Sequence, residues 1–324
     1  MKYEMFGDTG LTVSKLALGC GPFGSHLSEE ESFKILDEFI ENGGTMLDTA
    51  NIYGRWAKGY LPRSEMCVGK WIKERHNRNS IVLDSKCACP NLITMHINRM
   101  SPQEISHDLH ESLRNLNTDH LDFYWLHHDD PQRPVAEILE TLTRFYKEGK
   151  ILNFGLSNWQ LPRIREAVLY AKQAGIKGFS ARQVMHNLAE ANVPALQPDR
   201  MTWLGEEGIN YHVATQMPIF AYSSQAQGYF TLSREKDFLT SDKYAHVRSF
   251  YENPVSRRRS DATAAVAKAR NVDPTQIALA YLLNRQYFQI IPIIGVSTLS
   301  ELKMSIEALD IELSQEEIDR IHCS

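Results

Sequence analysis

The feature that most restricts the fold of this chain is a recurrence. Eight short apolar, β-branched or aromatic runs, Leu16–Cys20, Thr45–Thr49, Ile81–Lys86, Leu121–His127, Ile151–Ser157, Gly178–Val184, Ile219–Tyr222 and Ile290–Gly295, are each followed by a longer segment with helical spacing. Several are apolar at consecutive positions, the pattern of parallel strands covered by helices on both faces. Their starts lie roughly 30–40 residues apart, one strand-plus-helix unit each, except for a segment nearly twice as long between the seventh and eighth. Eight such units predict an α/β fold, a (β/α)₈ TIM barrel with a long insertion after strand 7. Residues 1–14, with Gly7-Asp8-Thr9-Gly10 at their centre, predict an N-terminal β-hairpin ahead of the barrel. Two helix starts are explicit: Ser101-Pro102-Gln103-Glu104 and Ser28-Glu29-Glu30-Glu31 each carry a Ser N-cap and a Glu at the capping-box position. No linker or composition break divides the chain, so residues 1–324 read as one barrel domain.

Charge and composition remove other classes. With 35 Lys+Arg against 40 Asp+Glu the net charge is −5, and no basic run exceeds Arg257-Arg258-Arg259, so there is no footprint for nucleic acid. A 43% hydrophobic content suits a folded globule. The N-terminus lacks the apolar core of a signal peptide, and no run approaches the ~20 apolar residues of a membrane span. Five cysteines, Cys20, Cys67, Cys87, Cys89 and Cys323, read as free thiols in a reducing compartment, so a cytoplasmic location is expected.

Gly19-Cys20-Gly21-Pro22-Phe23-Gly24 matches the dinucleotide fingerprint G-x-G-x-x-G. In that fingerprint the glycines open the helix, whereas here the capping box delays the helix to Ser28, so a Gly-rich loop is the preferred reading. A more specific signal lies in four ionisable residues at or just beyond consecutive strand ends: Asp48, Tyr53, Lys86 and His127. Strand ends of a barrel converge on one opening. A phenol with a pKa near ~10 is a weak acid at neutral pH, and an adjacent ammonium stabilises its phenolate. Lys86 is the candidate cation, Asp48 its anchor, and His127 a hydrogen-bond donor to a carbonyl oxygen. The set suits reversible reduction of C=O, with Tyr53 supplying the proton.

The motifs around these residues are similar to those of the aldo-keto reductases. They are Leu47-Asp48-Thr49-Ala50-Asn51-Ile52-Tyr53-Gly54, Ser85-Lys86, Asp122-Phe123-Tyr124-Trp125-Leu126-His127 and Gly155-Leu156-Ser157-Asn158. Further on come Gln183, Ala221-Tyr222-Ser223-Ser224, Pro274–Ala280 and Ile291–Gly295. The resemblance implies an NAD(P)H-dependent barrel enzyme with Asp48, Tyr53, Lys86 and His127 as catalytic tetrad. It implies that Ser157, Asn158 and Gln183 meet the nicotinamide carboxamide and that Tyr222 stacks on the ring. Ser223, Gln225 and Gly228 are implied near the pyrophosphate, and Gly295, Ser297 and Glu301 near the adenosine phosphate. NADP(H) is favoured by family habit, with NAD(H) open because Met304-Ser305 replaces the family's Glu-Asn pair and Lys303 is the segment's single cation. A cofactor-holding regulatory subunit with slow or no turnover is the alternative the resemblance also allows.

Two further departures bear on the site. Ser224-Gln225-Ala226-Gln227 stands where many relatives have Pro-Leu after the serine. Strand alternation also puts Asp84 on the same inward face as Lys86, where a carboxylate is costly unless paired. His127-His128-Asp129-Asp130 is an unfavourable metal cluster because consecutive strand residues face opposite ways, and no metal is expected. Expected substrate-pocket walls are Phe23, Arg55, Trp56, Trp125 and His128, with Tyr229 and Tyr251 from the insertion; the partner is a small carbonyl or alcohol, sugar- or polyol-derived ones included.

Overall fold

The structure, a computed structural model, describes residues 1–196, 200–284 and 287–322. Cys323 lies outside the described residues; Cys20, Cys67, Cys87 and Cys89 are free thiols. A hairpin of β1 (Tyr3–Met5) and β2 (Thr12–Ser14), antiparallel with Tyr3 opposite Ser14, precedes eight parallel strands. These are β3 (Ala17–Gly19), β4 (Met46–Asp48), β5 (Val82–Cys87), β6 (Phe123–Leu126), β7 (Phe154–Ser157), β8 (Arg182–Met185), β9 (Ile219–Tyr222) and β10 (Ile290–Ile294). They run in the order β10-β3-β4-β5-β6-β7-β8-β9 and close as a barrel, the (β/α)₈ fold. Each of the eight expected runs overlaps a strand: β9 matches its run, β5 and β8 end one residue later than expected, and the others are shorter than their runs. The run from Ile151 keeps only an isolated bridge to Leu121 before β7 begins, and the run from Gly178 starts its strand at Arg182. Apolar content marks burial, and it continues past the residues that pair.

Contacts within the chain group into two compact units, Tyr3–Gln183 and Val184–Ser324 with Met1–Lys2. The first unit carries β3 to β7, the start of β8, and helices α1 (Glu29–Glu41), α2 (Arg63–Arg75), α3 (Pro102–Asn115), α4 (Val135–Lys147) and α5 (Leu161–Ala174). Both expected capping boxes form: Ser28 and Ser101 accept from the backbone of Glu31 and Glu104, whose carboxylates accept in return from the two cap N–H groups. Helix α3 then buries Ile105, Leu109 and Leu113 on one stripe. All six residues of β5 are buried, as a strand covered on both faces requires.

In the second unit, β9 and β10 pair in parallel with Ile219 opposite Ile290. The insertion between them is helical, including Ala245–Tyr251 and Pro254–Arg270, and it builds its own aromatic core from Tyr229, Phe230, Phe238, Phe250 and Tyr251. Tyr229 and Tyr251 are fully buried there, so neither presents surface as a pocket wall. The arginine run is tied down too: Arg257 forms an ion pair with Glu252 at 2.7 Å and Arg259 donates to the Leu188 carbonyl at 3.0 Å. Among the described residues no helix is long and apolar enough to cross a membrane, and no group of three or more His, Cys, Asp and Glu could hold a metal.

Candidate active site

The first unit assembles all four tetrad residues. Asp48 ends β4 and Lys86 lies near the end of β5; the two strands are in register, with Asp48 opposite Asp84. Lys86 Nζ donates to Asp48 Oδ2 at 2.7 Å and to the Thr49 carbonyl at 2.7 Å, with the lysine only 1% exposed. Burial opposes the Lys86 charge, but attraction, that of the Asp48 carboxylate first, outweighs it and raises its pKa. The other Asp48 oxygen, Oδ1, accepts from Gln183 Nε2 at 2.7 Å. Both oxygens of the carboxylate are therefore engaged, which a buried charge needs.

Tyr53 follows β4 in a turn closed by its own N–H on the Ala50 carbonyl at 3.0 Å. Gly54 belongs to the next turn, closed by the Arg55 N–H on the Ile52 carbonyl at 3.1 Å: its φ is +87°, and a Cβ there would lie 2.6 Å from Arg63 Cβ and 2.9 Å from Arg63 N. The half-buried phenol ring lies with its centroid 4.7 Å from Lys86 Nζ. Burial pushes the Tyr53 pKa up to about 12, ahead of the lowering effect of Lys86. This is the reverse of the net direction expected from the adjacent ammonium alone, because composition cannot show how much water the fold removes.

His127 follows β6 directly and is anchored by its N–H on the Cys87 carbonyl at 2.9 Å. Its ring meets Tyr53 edge-on, centroids 5.7 Å apart, and its Nδ1 has no hydrogen-bond partner. Burial first, then His128 and Lys86, hold its pKa well below the usual value, so the imidazole is neutral and has an N–H to offer. A cleft of about 120 Å³ opens beside Lys86, with walls that include Asn51, Arg55, Arg99 and Glu111. Its charges are internally paired, Arg55 with Glu111 and Arg99 with Asp108, each at 2.7 Å.

Of the residues implied for a cofactor in this unit, Ser157 ends β7 with its buried Oγ unpartnered, and Asn158 takes a left-handed φ of 62° while donating to the His127 carbonyl at 3.1 Å. Gln183 is directed at Asp48, a link that the sequence did not suggest. In the second unit, Tyr222 ends β9, Ser223 and Gly228 have left-handed φ of 52° and 79°, and Gln225 bridges Ser305 Oγ at 2.9 Å and the Gly295 N–H at 3.2 Å. The Ser297 N–H is occupied by the Glu301 carboxylate at 2.6 Å, just ahead of the helix Leu299–Glu307.

The implied substrate walls divide. Trp56 is 43% exposed, stacked on His26 and tilted against Tyr53. Phe23 and Trp125 are fully buried, Trp125 stacking on Phe123 at 4.2 Å. His128 is buried with its ring against His127, and its neighbour Asp129 forms an ion pair with Arg163 at 3.3 Å, which explains the charge that resembled a metal cluster.

The sequence model of the Aldo/keto reductase family matches residues 15–323. The chain is similar to the uncharacterized oxidoreductase YrpG of Bacillus subtilis, 29% identical over 98% of this chain and 93% of that protein. It is similar to norsolorinic acid reductase B of Dothistroma septosporum, 27% identical over 100% and 81%. A crystal structure of the thermostable aldo-keto reductase Tm1743 with the inhibitor epalrestat shares the fold at a TM-score of 0.73 and 23% identity, covering 100% of this chain and 99% of that one. The chain belongs to the aldo/keto reductase family, oxidoreductases that act on carbonyl groups.

Proposed function

We propose that the protein is a cytoplasmic NAD(P)H-dependent carbonyl reductase that interconverts aldehydes or ketones and alcohols, with sugar- or polyol-derived carbonyls among the candidates. The carrying observation is the buried Lys86–Asp48 pair, 2.7 Å long, set beside Tyr53 and a neutral His127. Bound nicotinamide would supply hydride to the carbonyl carbon. The unpartnered Ser157 hydroxyl and the adjacent Asn158 amide fit a carboxamide, which needs both donors and acceptors. With Gln183, Tyr222, Ser223, Gln225, Gly228, Gly295, Ser297 and Glu301 they are the residues that would hold the cofactor, NADP(H) ahead of NAD(H).

The His127 N–H orients the carbonyl oxygen and stabilises the negative charge that grows on it. Tyr53 keeps its proton at neutral pH, because its pKa is pushed up to about 12, and gives it to that oxygen as the alkoxide forms. Lys86 stabilises the phenolate left behind, and Asp48 fixes the ammonium. A phenol that is fully protonated at rest favours the reductive direction. The relative named for norsolorinic acid reduction supports carbonyl reduction as the reaction class.

NADPH oxidation by the purified protein against a panel of aldehydes and ketones tests this. Tyr53→Phe is expected to bind nucleotide unchanged and to lose roughly 10²–10⁴ in turnover. Wild-type turnover in Tyr53→Phe overturns the assignment of the proton donor, and nucleotide binding with no turnover of any carbonyl favours a sensor.

A further inference from the structure

The proposed reduction gives Asp84 no role, yet it lies at the centre of the charged cluster. Parallel register puts it directly opposite Asp48 on the neighbouring strand, and alternation puts it on the same face as Lys86. It is 0% exposed, Asp48 is 3% exposed, and Lys86 is 1% exposed. Two buried carboxyls therefore lie close to one buried ammonium. That ammonium is already committed to Asp48 Oδ2 and the Thr49 carbonyl. Neither Asp84 oxygen has a hydrogen-bond partner of ordinary geometry, whereas both Asp48 oxygens do.

The groups facing Asp84 are Cys20 from the end of β3, Asp48 from β4, Tyr53 from the following turn, Lys86 on β5 itself and the Trp125 indole from β6. Burial, then the Asp48 charge, push the Asp84 carboxyl well above the usual range. A second negative charge there would leave the cluster with two carboxylates against one cation, which a buried site avoids by taking up a proton.

We propose that Asp84 holds a proton at neutral pH and is a positioning residue for the tetrad, presenting its O–H to Asp48 so that Lys86 keeps one carboxylate partner and stays directed at Tyr53. This deepens the reductase reading and rests on it for its consequence, though not for the proton itself. Because a neutral Asp84 adds no charge next to the phenol, it leaves Tyr53 free of a second repulsive carboxylate. Asparagine keeps the shape, the neutrality and a hydrogen-bond donor. Leucine keeps the neutrality and loses the donor.

The difference infrared spectrum of wild type minus Asp84→Asn at pH 7 is expected to show one C=O band of a protonated carboxylic acid that shifts in D₂O. The alkaline limb of kcat for carbonyl reduction is expected to stay within about 0.3 pH unit in Asp84→Asn. In Asp84→Leu, kcat is expected to fall about tenfold with the KM for the nucleotide unchanged, and asparagine is expected to restore it. Absence of the band overturns the proposal. So does an alkaline limb that drops by a full unit in Asp84→Asn, since removing an ionised neighbour makes the phenol easier to deprotonate. A band in a protein that reduces no carbonyl supports the buried proton and overturns the reductase reading instead.

Discussion

The Asp48–Lys86 pair shows why single residues here cannot be exchanged at low cost. A buried ion pair contributes little net stability against an apolar replacement, but removing one partner strands the other charge at roughly 3–5 kcal/mol. The site therefore depends on both carboxylate oxygens being occupied, by Lys86 and by Gln183. His127 follows the opposite logic and stays uncharged. Its folded-state pKa lies well below the ordinary value of about 6.5, so the unfolded chain takes up a proton near that pH and the folded chain does not. The resulting stability is present above about pH 6.5 and is lost as pH falls below it, at no more than about 1.4 kcal/mol per pH unit. Urea unfolding at pH 7.5 and 5.5 checks the sign: His127→Gln is expected to lose less stability than wild type between the two. The same depression predicts no inflection near pH 6.5 in kcat/KM for reduction, and an inflection at that pH would contradict the neutral imidazole.

Elements position these side chains through close backbone approach. Helix α2 packs so tightly on the end of α3 that a Cβ on Gly69 would lie 2.0 Å from the Asn115 carbonyl oxygen and 2.6 Å from Leu116 Cα. The contact is reinforced by buried Glu65, which accepts from Asn115 Nδ2 at 2.9 Å and from Ser85 Oγ at 2.6 Å, next to Lys86 in the chain. Two effects compete in Gly69→Ala: alanine gains about 1 kcal/mol in helix propensity, while overpacking costs roughly 1–3 kcal/mol. Here the obstacle is backbone, which cannot rotate away, so net destabilisation is expected as a lower urea midpoint at unchanged m-value. A rise in the midpoint would mean that the two helices can separate freely. This contact is invisible in sequence, where Gly69 is an ordinary glycine in a helical segment. The capping boxes at Ser28 and Ser101 are legible because their chemistry is local, and Asp84 is legible as inward-facing because alternation alone decides it. The net direction of the Tyr53 pKa is not, because it depends on burial by residues distant in sequence. The Gln183–Asp48 bond escapes for the same reason, spanning 135 positions.

For the whole molecule, the recurrence of strand and helix specified the barrel order, while the division of contacts into two units at Gln183–Val184 left no mark in composition. The assignment of residues to a nucleotide has a readout that needs no chemistry. A ligand that binds only the folded chain stabilises it by about 2.7 kcal/mol at one hundred times its Kd. Each kcal/mol shifts Tm by about 2–4 °C in chains of 150–250 residues, and by less in a longer one. NADPH at that excess is therefore expected to raise the melting temperature by several degrees, and Tyr53→Phe is expected to show the same shift because the phenol is proposed to give a proton and not to hold the nucleotide. Comparing NADPH with NADH at equal concentration then reads the cofactor preference directly. The Glu301 carboxylate already occupies the Ser297 N–H, so a 2′-phosphate seated on that N–H has to displace it. If NADH gives the larger shift, the family habit of NADP(H) yields to that carboxylate; if neither shifts the transition, the residues assigned to the nucleotide do not hold it.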